Sequence, residues 1–189
     1  MKPPRILAFG GSLRAASYNQ KIATIAAAAA REAGADVTLI SLRDFRMPLF
    51  DEDLETAEGM PEAAQKLKAL FAEHDGLIIA SPEYNSTITA ALKNAIDWVS
   101  RATSEDEPPL SVLKGKTVAI LSASPGGYGG SRSLAQLRPF LENIHMKVLP
   151  DQVSIPKAYE AFDENDQLIN PEQSAAVKAL GKKLVESFG

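Results

Sequence analysis

Apolar residues along this chain alternate between two spacings. Short, nearly continuous apolar runs predict five strands, which are Arg5–Phe9, Val37–Ser41, Leu77–Ala80, Thr117–Ser122 and Lys147–Leu149, with Val153–Ile155 as a candidate extension of the last. Apolar positions that recur every three or four residues predict the helices between them, at Ile22–Ala33, Leu67–His74, Leu92–Val99, Leu134–Ile144 and Val177–Phe188. This alternation is typical of a parallel sheet covered by helices on both faces, and 189 residues suit a single α/β domain spanning 1–189.

Glycine, proline and loop length refine this picture. Gly34 is expected to end the first helix, and Pro139 is expected to kink or interrupt the fourth. Three connections, Leu42–Met60, Ala102–Leu113 and Pro150–Asn170, are longer than a compact domain needs. We expect loops of this length to be functional or to make contacts between subunits.

The charge pattern argues against two classes of partner. The net charge is −4 and basic residues are interspersed with acidic ones, so no stripe for nucleic acid is expected. No apolar run approaches the roughly 20 residues that span a bilayer, and the N-terminal residues do not resemble a signal peptide. We therefore expect a cytoplasmic protein with no membrane or nucleic-acid partner.

The scarcity of ligating and nucleophilic side chains limits the chemistry. Without cysteine the chain has no disulfide, thiol nucleophile, zinc ribbon or iron–sulfur cluster. His74 and His145 each close a helical pattern, where histidine commonly contacts terminal carbonyls, so neither is expected to be catalytic and no metal site is predicted. A redox enzyme of this composition needs an organic cofactor to carry electrons.

The segment between the first strand and the first helix is the strongest candidate site. A helix start presents unpaired N–H groups and partial positive charge, which stabilise an anion. Ser12, Ser17 and Asn19 add hydrogen-bond donors, Arg14 adds a full charge, and no acidic residue occurs between positions 10 and 31. The segment is therefore predicted to bind one phosphate group.

Better-known phosphate loops do not match. A dinucleotide fingerprint needs glycine where Ser12 and Ala15 stand, and a P-loop ending in Gly115-Lys116-Thr117 needs glycine where Leu110 stands. The remaining interpretation is a serine-rich monophosphate loop of the kind that holds flavin mononucleotide (FMN). The plainer alternative is an ordinary strand-to-helix turn with a serine cap.

Two further loops follow the third and fourth strands, and ligands of open parallel sheets bind at these carboxyl ends. Tyr84 offers an aromatic surface, while Asn85 and the amides from Glu83 onward can bond the polar edge of a flat ring. Gly126 and Gly127 permit close approach of the backbone, whose donors can stabilise negative charge on a reduced flavin.

Three motifs, Gly11-Ser12-Leu13-Arg14 with Ser17 and Asn19, Pro82-Glu83-Tyr84-Asn85, and Leu92-Lys93-Asn94-Ala95-Ile96-Asp97-Trp98, resemble the NADPH-dependent FMN reductase family of quinone, azo-dye and chromate reductases. The resemblance covers most of the chain. It implies a flavodoxin-like three-layer sandwich with a five-stranded parallel sheet of order 2-1-3-4-5. It also implies non-covalent FMN, NADPH or NADH as donor, and a homodimer that often pairs into a homotetramer.

The resemblance also implies roles for individual residues. The implied phosphate contacts are those of Ser12, Arg14, Ser17 and Asn19. The loop after the third strand is expected to contact the flavin ring and the ribityl chain. The implied ring and edge contacts come from Pro82, Glu83, Tyr84, Asn85, Ser122, Ser124, Gly126 and Gly127. No side chain is expected to be a catalytic nucleophile, because the chemistry belongs to the flavin.

The expected activity is hydride transfer from NAD(P)H through bound FMN to quinones or similar acceptors, such as chromate, azo compounds or free flavin. One alternative is a flavin-binding electron carrier or redox sensor without NAD(P)H turnover. A serine hydrolase using Ser124 is disfavoured, because the first glycine of a nucleophile elbow is missing and proline follows the serine. The physiological acceptor and the choice between NADPH and NADH are left open by the sequence.

Two residues of the third helix have competing interpretations. Trp98 suits core packing, and in a dimer it is expected to be buried against the partner subunit. Arg101 is then expected to pair with an acidic group across that boundary.

Overall fold

The computed structural model describes residues 2–189 and contains one five-stranded sheet. All strands are parallel and lie in the order β2-β1-β3-β4-β5, as the resemblance implied. The strands are β1 (Arg5–Gly10), β2 (Asp36–Ser41), β3 (Gly76–Ala80), β4 (Thr117–Ala123) and β5 (Lys147–Ile155). The flavodoxin-like topology is therefore confirmed.

Six α-helices connect and cover the strands. They are α1 (Tyr18–Glu32), α2 (Glu52–Glu58), α3 (Glu62–Glu73), α4 (Ala90–Ser100), α5 (Ser131–Asn143) and α6 (Pro171–Glu186), and a short 3₁₀ helix spans Leu42–Asp44. α1 ends as predicted, with Gly34 in a left-handed conformation (φ 98°) just past the helix. The five helices predicted from apolar periodicity are α1, α3, α4, α5 and α6.

The sheet separates two apolar cores, one on each face. Side chains of α1 and α6 pack on one face with Ile6 and Ile78, while α3, α4 and α5 pack on the other with Leu7 and Phe9. Residues of β3 are completely buried along the whole strand. Successive side chains of β1 and β3 point to opposite faces of the sheet, so each strand contributes alternately to the two apolar cores.

Three local features differ from the sequence expectations. The long connection 42–60 contains α2, whose Asp51 side chain caps the backbone amides of Asp53 and Leu54. α5 runs through Pro139 as one helix instead of being interrupted. The two predicted pieces of the last strand form one edge strand, with a register shift against β4 that accommodates Pro150.

Within residues 2–189, no helix is long and apolar enough to cross a membrane.

Candidate functional site

The loops after β1, β3 and β4 meet at the carboxyl edge of the sheet and form one cleft, which we call the Ser12 cleft. Its lining consists of Ser12, Arg14, Ser17, Tyr18, Asn19, Pro82, Glu83, Tyr84, Ala123, Ser124 and Pro125. The strand order brings these loops together, because β1 and β4 both neighbour β3. Eight of the predicted site residues therefore lie around one cavity, although they are more than a hundred positions apart in the chain.

The floor of the Ser12 cleft is the amino terminus of α1. Ser17 is the N-cap residue, and its hydroxyl accepts a hydrogen bond from the backbone N–H of Gln20. Across the described part of the chain, the backbone N–H groups of residues 15–19 find no acceptor. The first turn of α1 contains no acidic residue. This row of donors and the helix dipole create a site for an anion.

The loop before α1 is tied down on both sides. The N–H of Gly11 donates to the carbonyl of Ala80 at 2.8 Å, and the hydroxyl of Thr89 donates to the carbonyl of Gly11 at 2.6 Å. Thr89 also caps α4 through the amide of Leu92. Thr89 is not among the residues predicted from the sequence, although its place three residues before Leu92 is typical of an N-cap.

Arg14 brings a positive charge to the cleft. Its side chain is exposed and makes no ion pair within residues 2–189, and its guanidinium lies 5.7 Å from the ring centre of Tyr18. The neighbouring Ser12 is 5% exposed, and its hydroxyl accepts from the amide of Arg14. Arg14 is therefore free to pair with a bound anion.

The side chain of Asn19 has a different role from the phosphate contact that was expected. Its side-chain amide donates to the carbonyl of Ala123 at 2.8 Å, and its side-chain oxygen accepts from the N–H of Ala123 at 2.9 Å. This buried pair joins the start of α1 to the end of β4. Because the Asn19 side chain is committed to that backbone, it holds the cleft together from below, and its main-chain N–H remains the donor available to a phosphate.

The carboxylate of Glu83 also serves the protein itself. It pairs with Arg132 at 2.7 Å and accepts from the amide of Ser133 in the first turn of α5, a helix whose N-cap is a glycine. Ser133 in turn donates to the carbonyl of Pro82 at 3.0 Å. The Pro82–Glu83 segment is thus fixed against α5, and the carboxylate of Glu83 is committed to that contact.

A tight turn presents Tyr84 and Asn85. The backbones of Tyr84 and Thr87 exchange two hydrogen bonds of 3.0 and 3.1 Å, and Asn85 and Ser86 both have positive φ, at 52° and 67°. This is the arrangement of a type I′ turn, in which asparagine is common and serine is strained. Tyr84 is 49% exposed at the mouth of the cleft, and Asn85 lies beyond the lining on the exposed turn.

Glycines of the loop after β4 fall into two kinds. At Gly129 and Gly130, φ is positive, and a side chain would collide with Ile155 or with the Ser122 hydroxyl. At Gly126 and Gly127 a Cβ would meet nothing closer than 3.9 Å, and φ is not positive. The fold of the chain therefore requires glycine at positions 129 and 130 but not at 126 and 127, which face open space beside the cleft.

The two serines of this loop differ in accessibility. Ser122 is completely buried, and its hydroxyl has no hydrogen-bond partner and faces Gly130. It lies behind the Ser12 cleft instead of lining it. Ser124 does line the cleft, and its hydroxyl accepts from the amide of Gly126 at 3.4 Å. Neither histidine lines the cleft, so Ser124 has no general base of that kind there.

Tyr18 is a cleft residue to which the sequence assigned no role. Its ring stacks on Phe162, with ring centres 5.9 Å apart and an angle of 6° between planes. Lys21 lies over both rings and forms an ion pair with Asp166 at 2.5 Å. The contact anchors the long connection after β5 beside the phosphate-binding turn, and no local sequence pattern predicts such a distant pairing.

Interpretations of Trp98 and Arg101 that required a partner subunit are replaced by contacts within the chain. Trp98 is fully buried, donates to the carbonyl of Pro48 at 2.9 Å and meets the ring edge of Phe50. Arg101 forms an ion pair with Glu55 at 2.7 Å, and this hydrogen-bonded contact raises the pKa of Arg101. The acidic partner belongs to α2, a helix that was not predicted from the sequence.

His74 behaves as predicted. Its Nδ1 lies 2.6 Å from the carbonyl of Leu70 in the last turn of α3, and its Nε2 lies 2.8 Å from the hydroxyl of Thr38. Among the described residues, no cluster of three His, Asp or Glu side chains could hold a metal ion.

These residues fit a phosphate ester that carries a flat ring. The donor row at α1 and Arg14 suit the phosphate, while Tyr84, the amides beyond Pro82 and the open space at Gly126 and Gly127 suit a ring and its polar edge. Chemically, such a site can bind and orient a redox cofactor, and the side chains around it include no arrangement for nucleophilic catalysis.

Comparison with known proteins supports the same ligand class. Residues 4–160 match the model of a family described as NADPH-dependent FMN reductase. An NAD(P)H-dependent FMN reductase of Pseudomonas aeruginosa is 35% identical over 173 residues, covering 88% of this chain and 85% of the relative. A quinone reductase of Escherichia coli K12 is 37% identical over 139 residues, covering 74% of this chain and 70% of the relative.

Solved structures agree on the fold. A flavoenzyme NAD(P)H:(acceptor) oxidoreductase from Paracoccus denitrificans superposes with a TM-score of 0.77 at 23% identity, covering 97% of this chain and 96% of the other. Given the family match over most of the sequence and the two relatives above 30% identity, the chain belongs to the NADPH-dependent FMN reductase family.

Proposed function

We propose that this protein is an FMN-dependent NAD(P)H oxidoreductase that reduces quinones or similar small acceptors. The observation that carries this proposal is the row of unpaired backbone amides at residues 15–19, beside the unpaired Arg14, at the carboxyl edge of the sheet. Donors of this kind recognise a phosphate monoester. Family membership and the relatives named as FMN and quinone reductases support the cofactor and the reaction class.

The residues of the chain bind and orient, and they leave the electron chemistry to the cofactor. Ser12, Ser17 and Arg14 would hold the phosphate together with the amides of the first turn of α1. Pro82 to Asn85 and the amides of Gly126 and Gly127 would hold the ring and its polar edge. When bound, FMN supplies a ring that takes a hydride from NAD(P)H and returns the electrons to an acceptor.

Positioning is the contribution of the fold. Asn19 fixes α1 to the end of β4, Glu83 fixes the β3 loop to α5, and Thr89 fixes the β1 loop to α4. These contacts hold three loops of different strands at one edge before any ligand arrives. Such preorganisation lowers the cost of placing two reactants in stacking contact.

A spectroscopic experiment tests the proposal. Purified protein is titrated with FMN, and the loaded protein is then mixed with NADPH under anaerobic conditions while the flavin absorption is followed. We expect saturable binding, bleaching by NADPH and recovery on addition of a quinone, in steady-state turnover. Absence of FMN binding would overturn the proposal as a whole.

The same experiment separates an enzyme from an electron carrier. A carrier or redox sensor would bind FMN but would not be reduced by NADPH at a rate that supports turnover. The net charge of −4 is modest for a carrier that docks through an acidic face. If NADPH reduced the bound flavin but no quinone re-oxidised it, the proposed donor would stand and the proposed class of acceptor would be wrong.

Self-association belongs to the same proposal. We infer a homodimer, which pairs further into a homotetramer, from the family resemblance. The side chain of Leu49, 74% exposed on the loop after β2, suits burial in an interface. Light scattering on purified protein measures the mass directly, and a monomer at micromolar concentration would contradict this part. The cytoplasmic location stays a prediction.

A further inference from the structure

A second cavity adjoins the Ser12 cleft on the other side of the phosphate-binding loop. It lies between the segment after β2 and α4, has a volume of about 350 Å³, and we call it the Arg43–Arg46 pocket. Its lining consists of Leu13, Leu42, Arg43, Phe45, Arg46, Met47, Ala91, Asn94 and Ala95. Small-molecule sites typically measure roughly 300–1,000 Å³, so the pocket can hold part of a substrate.

The sheet register explains why the pocket and the cleft are neighbours. Gly10 pairs with Ser41 at the ends of β1 and β2, so the two following loops leave the sheet side by side. Leu13 lines the Arg43–Arg46 pocket, while the residues before and after it, Ser12 and Arg14, line the cleft. A single turn of backbone therefore separates the two cavities.

Unpaired arginines concentrate at this edge of the molecule. Of the eight arginines, Arg5, Arg101, Arg132 and Arg138 form ion pairs, and the side chain of Arg31 donates to a backbone carbonyl. Among the described residues, the side chains of the remaining three make neither a hydrogen bond nor an ion pair. These three are Arg14, Arg43 and Arg46.

A larger cavity shows the contrasting case. It measures about 1130 Å³ and lies beside the loop that leads into β4. Its buried Lys68 is paired with Glu107 at 2.5 Å, and its Arg101 is paired with Glu55. Acidic side chains pair with Lys68 and Arg101 there, whereas no acidic side chain lines the Arg43–Arg46 pocket.

The walls of the Arg43–Arg46 pocket are apolar and held in place. Phe45 and Met47 pack on the core of the α4 face, and Leu13 and Ala91 add further apolar surface. Asn94 is committed to the protein, because its side chain bonds the amide of Phe50 and the carbonyl of Pro48. Two guanidinium groups beside apolar side chains suit an aromatic ring that carries phosphate.

We propose that the Arg43–Arg46 pocket binds the adenosine 2′-phosphate part of NADPH and gives the enzyme its preference for NADPH over NADH. The proposal rests on the proposed NAD(P)H oxidoreductase function, since it places the donor nucleotide next to the flavin site. Arg43 and Arg46 recognise the extra phosphate, and Phe45 and Met47 pack against the adenine. Arg14 remains with the FMN phosphate on the other side of the loop.

The test measures ligand binding directly and compares the two nicotinamide donors in turnover. Calorimetry on FMN-loaded protein compares 2′,5′-ADP with 5′-AMP, and steady-state kinetics compares NADPH with NADH. We expect 2′,5′-ADP to bind at least tenfold more tightly than 5′-AMP. The double variant Arg43→Ala/Arg46→Ala should lose that difference, with kcat/KM for NADPH reduced at least tenfold and kcat/KM for NADH within twofold of the parent.

Matched control variants separate an effect of the pocket from an effect of the protein's overall charge. The variant Lys147→Ala/Lys178→Ala removes the same charge from exposed positions on β5 and α6 and should leave the preference unchanged. Arg43→Lys/Arg46→Lys should recover part of the discrimination. FMN affinity should be equal in all variants, because Arg14 is intact in each.

Several outcomes overturn the assignment. Equal loss of NADPH and NADH activity, or no change in either, would remove the two arginines from donor recognition. Failure of 2′,5′-ADP to bind the parent protein, for instance because a second copy of the chain covers the pocket, would do the same. A protein that binds 2′,5′-ADP through these arginines but does not oxidise NADPH would instead contradict the proposed enzymatic function while leaving the nucleotide site in place.

Discussion

Individual polar residues at the cleft divide into those that are free and those that are already bonded. Ser12, Ser17 and Arg14 keep capacity for a ligand, whereas the side chains of Asn19 and Glu83 are consumed by the backbone of Ala123 and by α5. All five were predicted from the sequence as binding residues, because residue type and spacing report which donors are present. Residue type does not report which partner a donor finds across the sheet.

Removal of the free charge tests the phosphate site. We expect Arg14→Ala to weaken FMN binding about tenfold or more, since a charge-assisted contact with phosphate is lost and tenfold corresponds to about 1.4 kcal/mol. Fluorescence titration of the purified apoprotein measures the change. Lys178→Ala, which removes an exposed positive charge from α6, is the matched control and should bind FMN like the parent. Equal affinity of the Arg14 variant and the parent would exclude Arg14 from the site.

The loop after β4 contains glycines that the fold requires and glycines that it does not, so one substitution of each kind gives a sharper test of the site. A methyl group at Gly127 meets no protein atom within 4 Å, so Gly127→Ala should leave the melting temperature within about 2 °C of the parent. Gly127 lies two residues after the cleft residue Pro125, and its backbone is a proposed contact of the flavin, so the added methyl group should reduce FMN affinity about tenfold.

Gly130→Ala provides the converse control. Its Cβ would lie 1.8 Å from the Ser122 hydroxyl, and φ is 86°, so thermal unfolding should shift downward by several degrees. Differential scanning fluorimetry and FMN titration of both variants decide the matter. A Gly127 variant that binds FMN normally would show that the ligand does not approach this part of the loop.

Elements of the fold were predicted well where the apolar pattern was long and poorly where it was short. The five strands and five of the six helices follow from periodicity, since each buries a continuous apolar face. α2 has seven residues and buries none of them, so it left no periodic signal, and its start depends on the Asp51 cap. β5 continues through Pro150 because an edge strand tolerates a missing donor and a shifted register.

A single residue, Asn19, makes the hydrogen bonds that join the start of α1 to the end of β4. Asn19→Ala would leave both the N–H and the carbonyl of Ala123 without partners in a buried place, and unfolding should become easier by roughly 2–3 kcal/mol. Urea denaturation followed by circular dichroism measures this change. The exposed Asn165 in the connection after β5 supplies the control, and Asn165→Ala should alter stability by less than about 0.5 kcal/mol. A stable Asn19 variant would mean that water replaces the lost bonds.

At the scale of the whole molecule, a largely buried ion pair of Lys68 with Glu107 lies outside the cleft, where α3 meets the connection that leads from α4 into β4. Burial raises the pKa of Glu107, but the opposing hydrogen bonds from Lys68, Ser111 and Thr103 together outweigh it and lower the pKa to about 2. Lys68 also donates to the carbonyl of Arg101 at 2.6 Å. Lys68 of α3 is therefore bonded to two positions of the connection that follows α4, more than 30 residues further along the chain.

This pair makes the stability of the molecule depend on pH in a defined direction. Because the folded pKa of Glu107 lies below its ordinary value of 4.5, the stabilisation is fully present above about pH 5 and is lost as the pH falls toward 2. Glu107→Gln should therefore lower the free energy of unfolding by about 2 kcal/mol at pH 7. The difference should shrink as the pH falls through about 2 and vanish only below the folded pKa, where Glu107 is protonated in both the folded and the unfolded state. Urea denaturation at a series of pH values gives the difference curve. Glu105→Gln, an exposed carboxylate in the same connection, should give a flat curve, and a Glu107 curve that is equally flat would show that the pair is not formed in solution.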